Sequence, residues 1–173
     1  MRILLILTIF VFSQPALAQS PIPESEWTEL AALFLARSCV AEAGFSSAVT
    51  GECGAIAYVY ARRFHQMRRA GRYMAFGRVV WHYSAPLRLN RRPWVSDLRD
   101  EERPRGMPRM WPWENLLPKW LGMKRYVQQW ARGEVENPCP GANHFGSVQD
   151  GAPADWRRIR CNIRTRNRFW RSF

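Results

Sequence analysis

The chain has 173 residues and a formal net charge of +12, from 26 lysines and arginines against 14 acids. Hydrophobic residues make up 47% and charged residues only 23%, which excludes a disordered polyelectrolyte and leaves enough apolar mass for one folded domain. Lys119 and Lys124 are the only lysines, so the charge is almost all arginine; it reads either as affinity for carboxylates and phosphates or as nothing more than a solvated surface.

Met1 to Ala18 reads as an export signal. Arg2 gives a positive start, Ile3 to Phe12 is an apolar run, and Ala16-Leu17-Ala18 is a small-residue cleavage site. The run is shorter than the roughly 20 residues that span a bilayer, and no later stretch qualifies. Residues 19–173 are then a single exported domain, periplasmic or secreted. In an oxidising compartment Cys39, Cys53, Cys139 and Cys161 form two disulfides. Sequence leaves the connectivity open; pairing of chain neighbours, Cys39–Cys53 and Cys139–Cys161, is favoured. A metal site is the weaker alternative, because no C-x-x-C occurs and His65, His82 and His144 are scattered. No metal and no cofactor are expected.

A short lead, residues 19–25, precedes a helix over about Glu26 to Ala43. Trp27, Leu30, Ala31, Phe34, Leu35, Ser38 and Glu42 recur at helical spacing on one stripe. Glu26 and Glu29 in its first turn suit the helix dipole, and Gly44 stops it. Phe45 to Gly51 is a loop. A second helix covers about Cys53 to Arg69, with Cys53, Ile56, Ala57, Tyr60, Phe64 and Met67 on its apolar side, arginines toward its end and Gly71 beyond it. Val79-Val80-Trp81 is a brief strand or a helical turn. Pro86 to Pro118 is rich in proline, arginine and tryptophan and has no period. It reads as an extended but ordered surface segment in which Trp94, Trp111 and Trp113 find packing partners. A third helix covers about Pro118 to Arg132. Glu134 to Phe173 is mostly loop, with a short ordered end at Arg168-Phe169-Trp170. The fold class is mainly α, with long irregular segments and little sheet, and the expected state is a monomer.

Glu42 is the residue that points to chemistry. It continues the apolar stripe to the end of the first helix, and burial of this kind raises a glutamate pKa and keeps the proton available near neutral pH. Cleavage of a glycosidic bond needs such an acid at the leaving oxygen. Periodicity by itself also allows a solvated glutamate at a helix end.

Phe34 to Phe64, FLARSCVAEAGFSSAVTGECGAIAYVYARRF, resembles the opening motif of the SleB-like (spore-cortex-lytic) cell wall hydrolases. In that family a helix ends in an alanine-rich segment carrying the catalytic glutamate, and a second helix follows. The same stretch is similar to soluble lytic transglycosylases at Glu42-Ala43-Gly44-Phe45, Ala48-Val49-Thr50 and Gly54-Ala55. Farther on, Asn137 to Phe145 resembles the SleB-like Gly-Ala-Thr-His-Phe/Tyr segment, and Arg166 to Trp170 resembles that family's final aromatic strand. The likeness runs in order over about residues 34–170. The chain departs from it in having Phe45 and Ser46 where a second acid is usual, Asn143 where threonine is common, and no counterpart for Pro86–Pro118.

The resemblance implies a lysozyme-like helical domain that cleaves the MurNAc–GlcNAc bond of peptidoglycan, with Glu42 as general acid. Glu52, at the head of the second helix, is the nearest replacement for the second acid. Thr50, Asn143 and His144 are implied substrate contacts, and Tyr83 with His82 is a further candidate for the cleft border. The nine tryptophans suit sugar stacking or the core. With one obvious glutamate, a lytic transglycosylase forming 1,6-anhydro products fits better than a muramidase-type hydrolase. The rival class is a non-enzymatic basic protein that binds wall or membrane. The expected partners are glycan strands and anionic envelope polymers. Nucleic acid is disfavoured by the export signal and by the lack of a recognised binding motif.

Overall fold

The computed structural model describes residues 20–146 and 151–172. The export signal expected at residues 1–18 lies outside them. Described in chain order, a 3-10 turn at Glu24–Glu26 leads into α1 (Glu29–Ala43), α2 (Glu52–Arg69), α3 (Phe76–Tyr83), α4 (Ala85–Arg88), α5 (Pro93–Ser96) and α6 (Trp113–Ala131). Three short strands follow: β1 (His144–Gly146), β2 (Arg157–Ile159) and β3 (Arg168–Arg171). The fold is mainly α with little sheet, as the sequence implies. No helix among the described residues is long and apolar enough to cross a membrane.

α1 is the central rod. Its start is three residues later than the acidic pattern suggests, because Thr28 is the cap: its hydroxyl accepts from Ala31 N at 3.1 Å. Glu26 is left outside the helix and does different work. Its carboxylate accepts from Phe76 N at 3.1 Å and pairs with Arg68 at 3.3 Å, clipping the start of α3 to the end of α2. α1 is buried on nearly every side, since α2, α3, α4, α5 and α6 all pack against it. The single-stripe expectation therefore fails in detail. Leu30 is 57% exposed, whereas Ala36, Arg37 and Val40, off the stripe, are buried. The second helix follows its pattern: Cys53, Ile56, Ala57, Tyr60 and Phe64 are all buried.

The chain between α2 and α6 is neither strand nor simply extended. Val79 and Val80 belong to two turns of helix, α3, whose Phe76, Val79 and Val80 are buried. Beyond it, α4 and α5 lay Leu87, Trp94, Val95 and Leu98 into the core. Trp94 stacks on Phe45 at 5.9 Å, and Trp111 and Trp113 meet Trp94 and Phe45 edge-on. α6 begins at Trp113, not Pro118. Proline favours a helix start, yet Trp113 is buried and its Nε1 donates to Glu101 O at 2.7 Å, so tertiary packing extends the helix before the proline. Phe76 and Trp130, stacked at 5.8 Å, join α3 to α6 at the centre.

The strands form one antiparallel sheet in the order β1-β3-β2, with Phe145 opposite Phe169 and His144 opposite Trp170. Phe145 meets Tyr60 of α2 edge-on at 5.6 Å, which seats the sheet beside the helices. Two disulfides, Cys39–Cys53 and Cys139–Cys161, tie α1 to α2 and close the tail on itself. These are the chain-neighbour pairs.

Candidate active site

Glu42 is the penultimate residue of α1. Gly44 stops the helix at φ +85°, a conformation in which a side chain is strained, and so fixes Glu42 at the helix end. Its side chain is half-buried. Ser84, wholly buried at the junction of α3 and α4, donates from Oγ to Glu42 Oε1 at 2.9 Å. Behind it lies Tyr60, also wholly buried, with its hydroxyl 2.7 Å from Ser38 Oγ. Burial holds the Tyr60 phenol well above its ordinary pKa, the charge of Glu42 pushes the same way, and bonds to Ser38 and Ser84 oppose the rise. Tyr60 is thus a neutral hydroxyl throughout the physiological range. Ser38, Tyr60, Ser84 and Glu42 form one polar file through an otherwise apolar interior.

The carboxyl borders a groove of about 460 Å³. α2 supplies Val59, Tyr60 and Arg63 to its wall, and the α3–α4 junction supplies Tyr83, Ala85 and Pro86. Arg91, Asn167 and the β1 residues Phe145 and Gly146 complete it. Glu42 is the one carboxyl among the described residues that line it. Its aromatic borders are Tyr60, Tyr83 and Phe145; no described tryptophan lines it.

Arg63 organises one side. Its guanidinium lies over the Tyr83 ring, 4.5 Å from the centroid, and also donates to His144 Nδ1. A guanidinium has no acceptor, so that Nδ1 is unprotonated and the His144 proton sits on Nε2, which donates to Ser172 Oγ at 2.8 Å. Burial, and then the Arg63 charge, lower the His144 pKa to about 4, so the ring is neutral near pH 7. His144 thus supports the wall through Arg63 and does not itself line the groove.

The other expected site residues disperse. Tyr83 is at the groove, 37% exposed, with His82 packed edge-on against it at 5.1 Å. Glu52 is 2% exposed and is not among the lining residues. Its Oε1 accepts from Arg166 N at 3.0 Å, Asn167 N at 2.7 Å and Asn167 Nδ2 at 2.9 Å. Asn167 Nδ2 also donates to Glu42 O at 3.3 Å. Glu52 therefore binds the tail to the helix pair and places Asn167 in the groove wall. Thr50 is exposed in the α1–α2 loop, and its hydroxyl donates to Ser47 O at 3.3 Å, away from the groove. Asn143 is buried, exchanges hydrogen bonds with Ser172, and borders a different cavity. The four cysteines are all in disulfides. No metal-binding cluster of three or more histidine, cysteine or acidic residues occurs among the described residues.

Sequence reasoning missed Ser84, Tyr60, Arg63 and Asn167 as neighbours of Glu42. Tyr60 looked like core, which it is. Ser84 and Asn167 carry no local signal, because they reach Glu42 across separations of 42 and 125 residues.

Comparison of the chain with family models, curated proteins and solved structures returns no match.

Proposed function

We propose that this protein cleaves the glycan strands of peptidoglycan, with Glu42 as general acid, and that it is a lytic transglycosylase of the lysozyme-like kind that its sequence resembles. What supports the reading is the half-buried Glu42 carboxyl at a helix end, held by Ser84 Oγ at 2.9 Å and facing a groove with aromatic borders.

In this scheme Glu42 gives its proton to the oxygen joining MurNAc to GlcNAc. The C1–O bond breaks, the electron pair leaves with the oxygen, and positive charge develops at C1 of MurNAc. The Glu42 carboxylate then takes the proton of the MurNAc C6 hydroxyl while that oxygen bonds to C1. The product is a 1,6-anhydro ring, no water is consumed, and Glu42 ends protonated as it began. Acid–base help of this kind supplies about 10²–10⁴-fold in rate. A second carboxylate is not needed, which agrees with Glu42 being the single carboxyl among the described lining residues and with Glu52 being occupied by backbone N–H groups. Tyr83 and Phe145 offer faces for apolar sugar surfaces, and Arg63 and Arg91 offer charge to the carboxylates that the wall polymer carries. The two disulfides accord with action outside the cytoplasm.

The test is digestion of purified sacculi with mass spectrometry of the released muropeptides. Anhydro-ended products are expected, and Glu42→Gln abolishes them while leaving the circular dichroism spectrum unchanged. Reducing-end products would make the protein a hydrolase. Full activity in Glu42→Gln would remove Glu42 from the chemistry.

A further inference from the structure

A second cavity, of about 1040 Å³, lies on the other side of α2. Tyr58, Ala61, Arg62, His65 and Arg69 recur every three or four residues and turn one face of the helix to it, whereas Val59, Tyr60 and Arg63 face the Glu42 groove. The two cavities share no lining residue. Arg62, Arg68, Arg69 and Arg171 line the second one, and no carboxylate does among the described residues. Arg68 is paired with Glu26 at 3.3 Å. Among the described residues the other three have no ion pair.

Two of these cations are held together by design of the backbone. Arg62 Nη1 and Arg171 Nε donate to one carbonyl, Gly141 O, at 2.5 and 3.0 Å. Gly141 sits at φ +87°, and a Cβ there would overlap the Arg171 guanidinium, so the close approach needs glycine. Burial, then the charges of Arg171 and Arg69, depress the Arg62 pKa, as expected for like charges crowded at a partly dry site. Such crowding opposes folding unless an anion relieves it, and each guanidinium keeps unused donors suited to a forked contact with an oxyanion.

We propose that this cavity binds a phosphate-bearing polyanion, a linear chain of phosphates or phosphodiesters gripped by Arg62, Arg69 and Arg171. One phosphate would leave most of a cavity this size empty, and three cations lining it, Arg62 and Arg69 from α2 and Arg171 from β3, match the repeated charges of a chain. The site does not depend on the proposed cleavage reaction.

The probe is inorganic polyphosphate, titrated into the purified protein by fluorescence anisotropy and by thermal shift. Binding is expected at low salt, weakening as salt rises, with an increase in Tm. Arg62→Gln with Arg171→Gln weakens binding about tenfold or more. Those side chains also hold Gly141, so Arg69→Gln is the second variant: the Arg69 side chain has no hydrogen bond within the described residues, and the variant weakens binding without lowering the Tm of the free protein. Arg78→Gln, an exposed arginine of α3 outside the cavity, removes the same charge and leaves binding unchanged. Equal loss in Arg78→Gln and Arg69→Gln would make the attraction a property of net charge and overturn the site. Binding to phosphatidylglycerol vesicles with none to polyphosphate would overturn the chain ligand in favour of a membrane surface. The assay reads no sugar bond, so its failure and that of the cleavage reading are separable.

Discussion

At the scale of the residue, a carboxyl is only as useful as the groups that hold it. Ser84 donates to Glu42 Oε1 from a wholly buried position, and that bond holds the carboxyl beside the groove. Ser84→Ala is expected to lower kcat of sacculus cleavage by about tenfold, with a smaller change in KM, and to add nothing in a Glu42→Gln background. His144 gives a second residue-level expectation, in stability. Its pKa is lowered from 6.5 to about 4 in the fold. Above pH 6.5 it is neutral in both folded and unfolded chains and costs nothing; between 6.5 and 4 the unfolded chain takes up a proton that the fold refuses. Stability contributed by His144 is therefore complete above that window and lost as pH falls through it. Allowing for solvent screening of a partly exposed ring, the loss is about 1 kcal/mol. Urea denaturation at pH 7 and pH 4.5 checks it: the difference shrinks in His144→Gln.

At the scale of the element, Glu52 shows why position on a helix does not define role. It heads α2, where a carboxylate suits the dipole, yet its oxygen is spent on Arg166, Asn167 and the Asn167 amide. Glu52→Ala orphans buried N–H groups and is expected to cost about 3 kcal/mol in urea. Glu52→Gln keeps an acceptor oxygen and is expected to stay folded and cleave sacculi at near the parent rate. A dead but stable Glu52→Gln would restore the second-acid reading. Helices α1 and α2 were legible because glycines end them and helical spacing runs through them. The start of α6 was not, because Trp113 is held by contacts beyond helical spacing, with Glu101 O and with Phe45, the latter far away in the chain.

At the scale of the whole molecule, the disulfides and the two cavities divide the work. Cys39–Cys53, at a sequence separation of 14, ties the end of α1 to the head of α2 and encloses Glu42. Replacing both cysteines by serine is expected to cost about 3 kcal/mol, read as a lower Tm, with cleavage kept below the new midpoint. The arginine excess is likewise not spread evenly in consequence. Arg63 and Arg91 border the Glu42 groove, while Arg62, Arg69 and Arg171 collect behind α2. One helix thus separates two basic surfaces by nothing more than its pitch.

The sequence by itself determined the helical class, the C-terminal ends of α1 and α2 and the acid at the end of the central helix, and it favoured the near-neighbour cysteine pairs without fixing them. The helix ends and the acid rest on residues a few positions apart or on stop signals, which act locally. Tertiary structure alone decided that Ser84 and Asn167 meet Glu42, that Glu52 is a clamp, that Thr50 stands away from the groove and that Asn143 belongs to the other cavity. Those facts depend on how the segment after α3 and the tail fold back over α1 and α2, and a spacing of three or four residues holds no information about partners more than forty residues away.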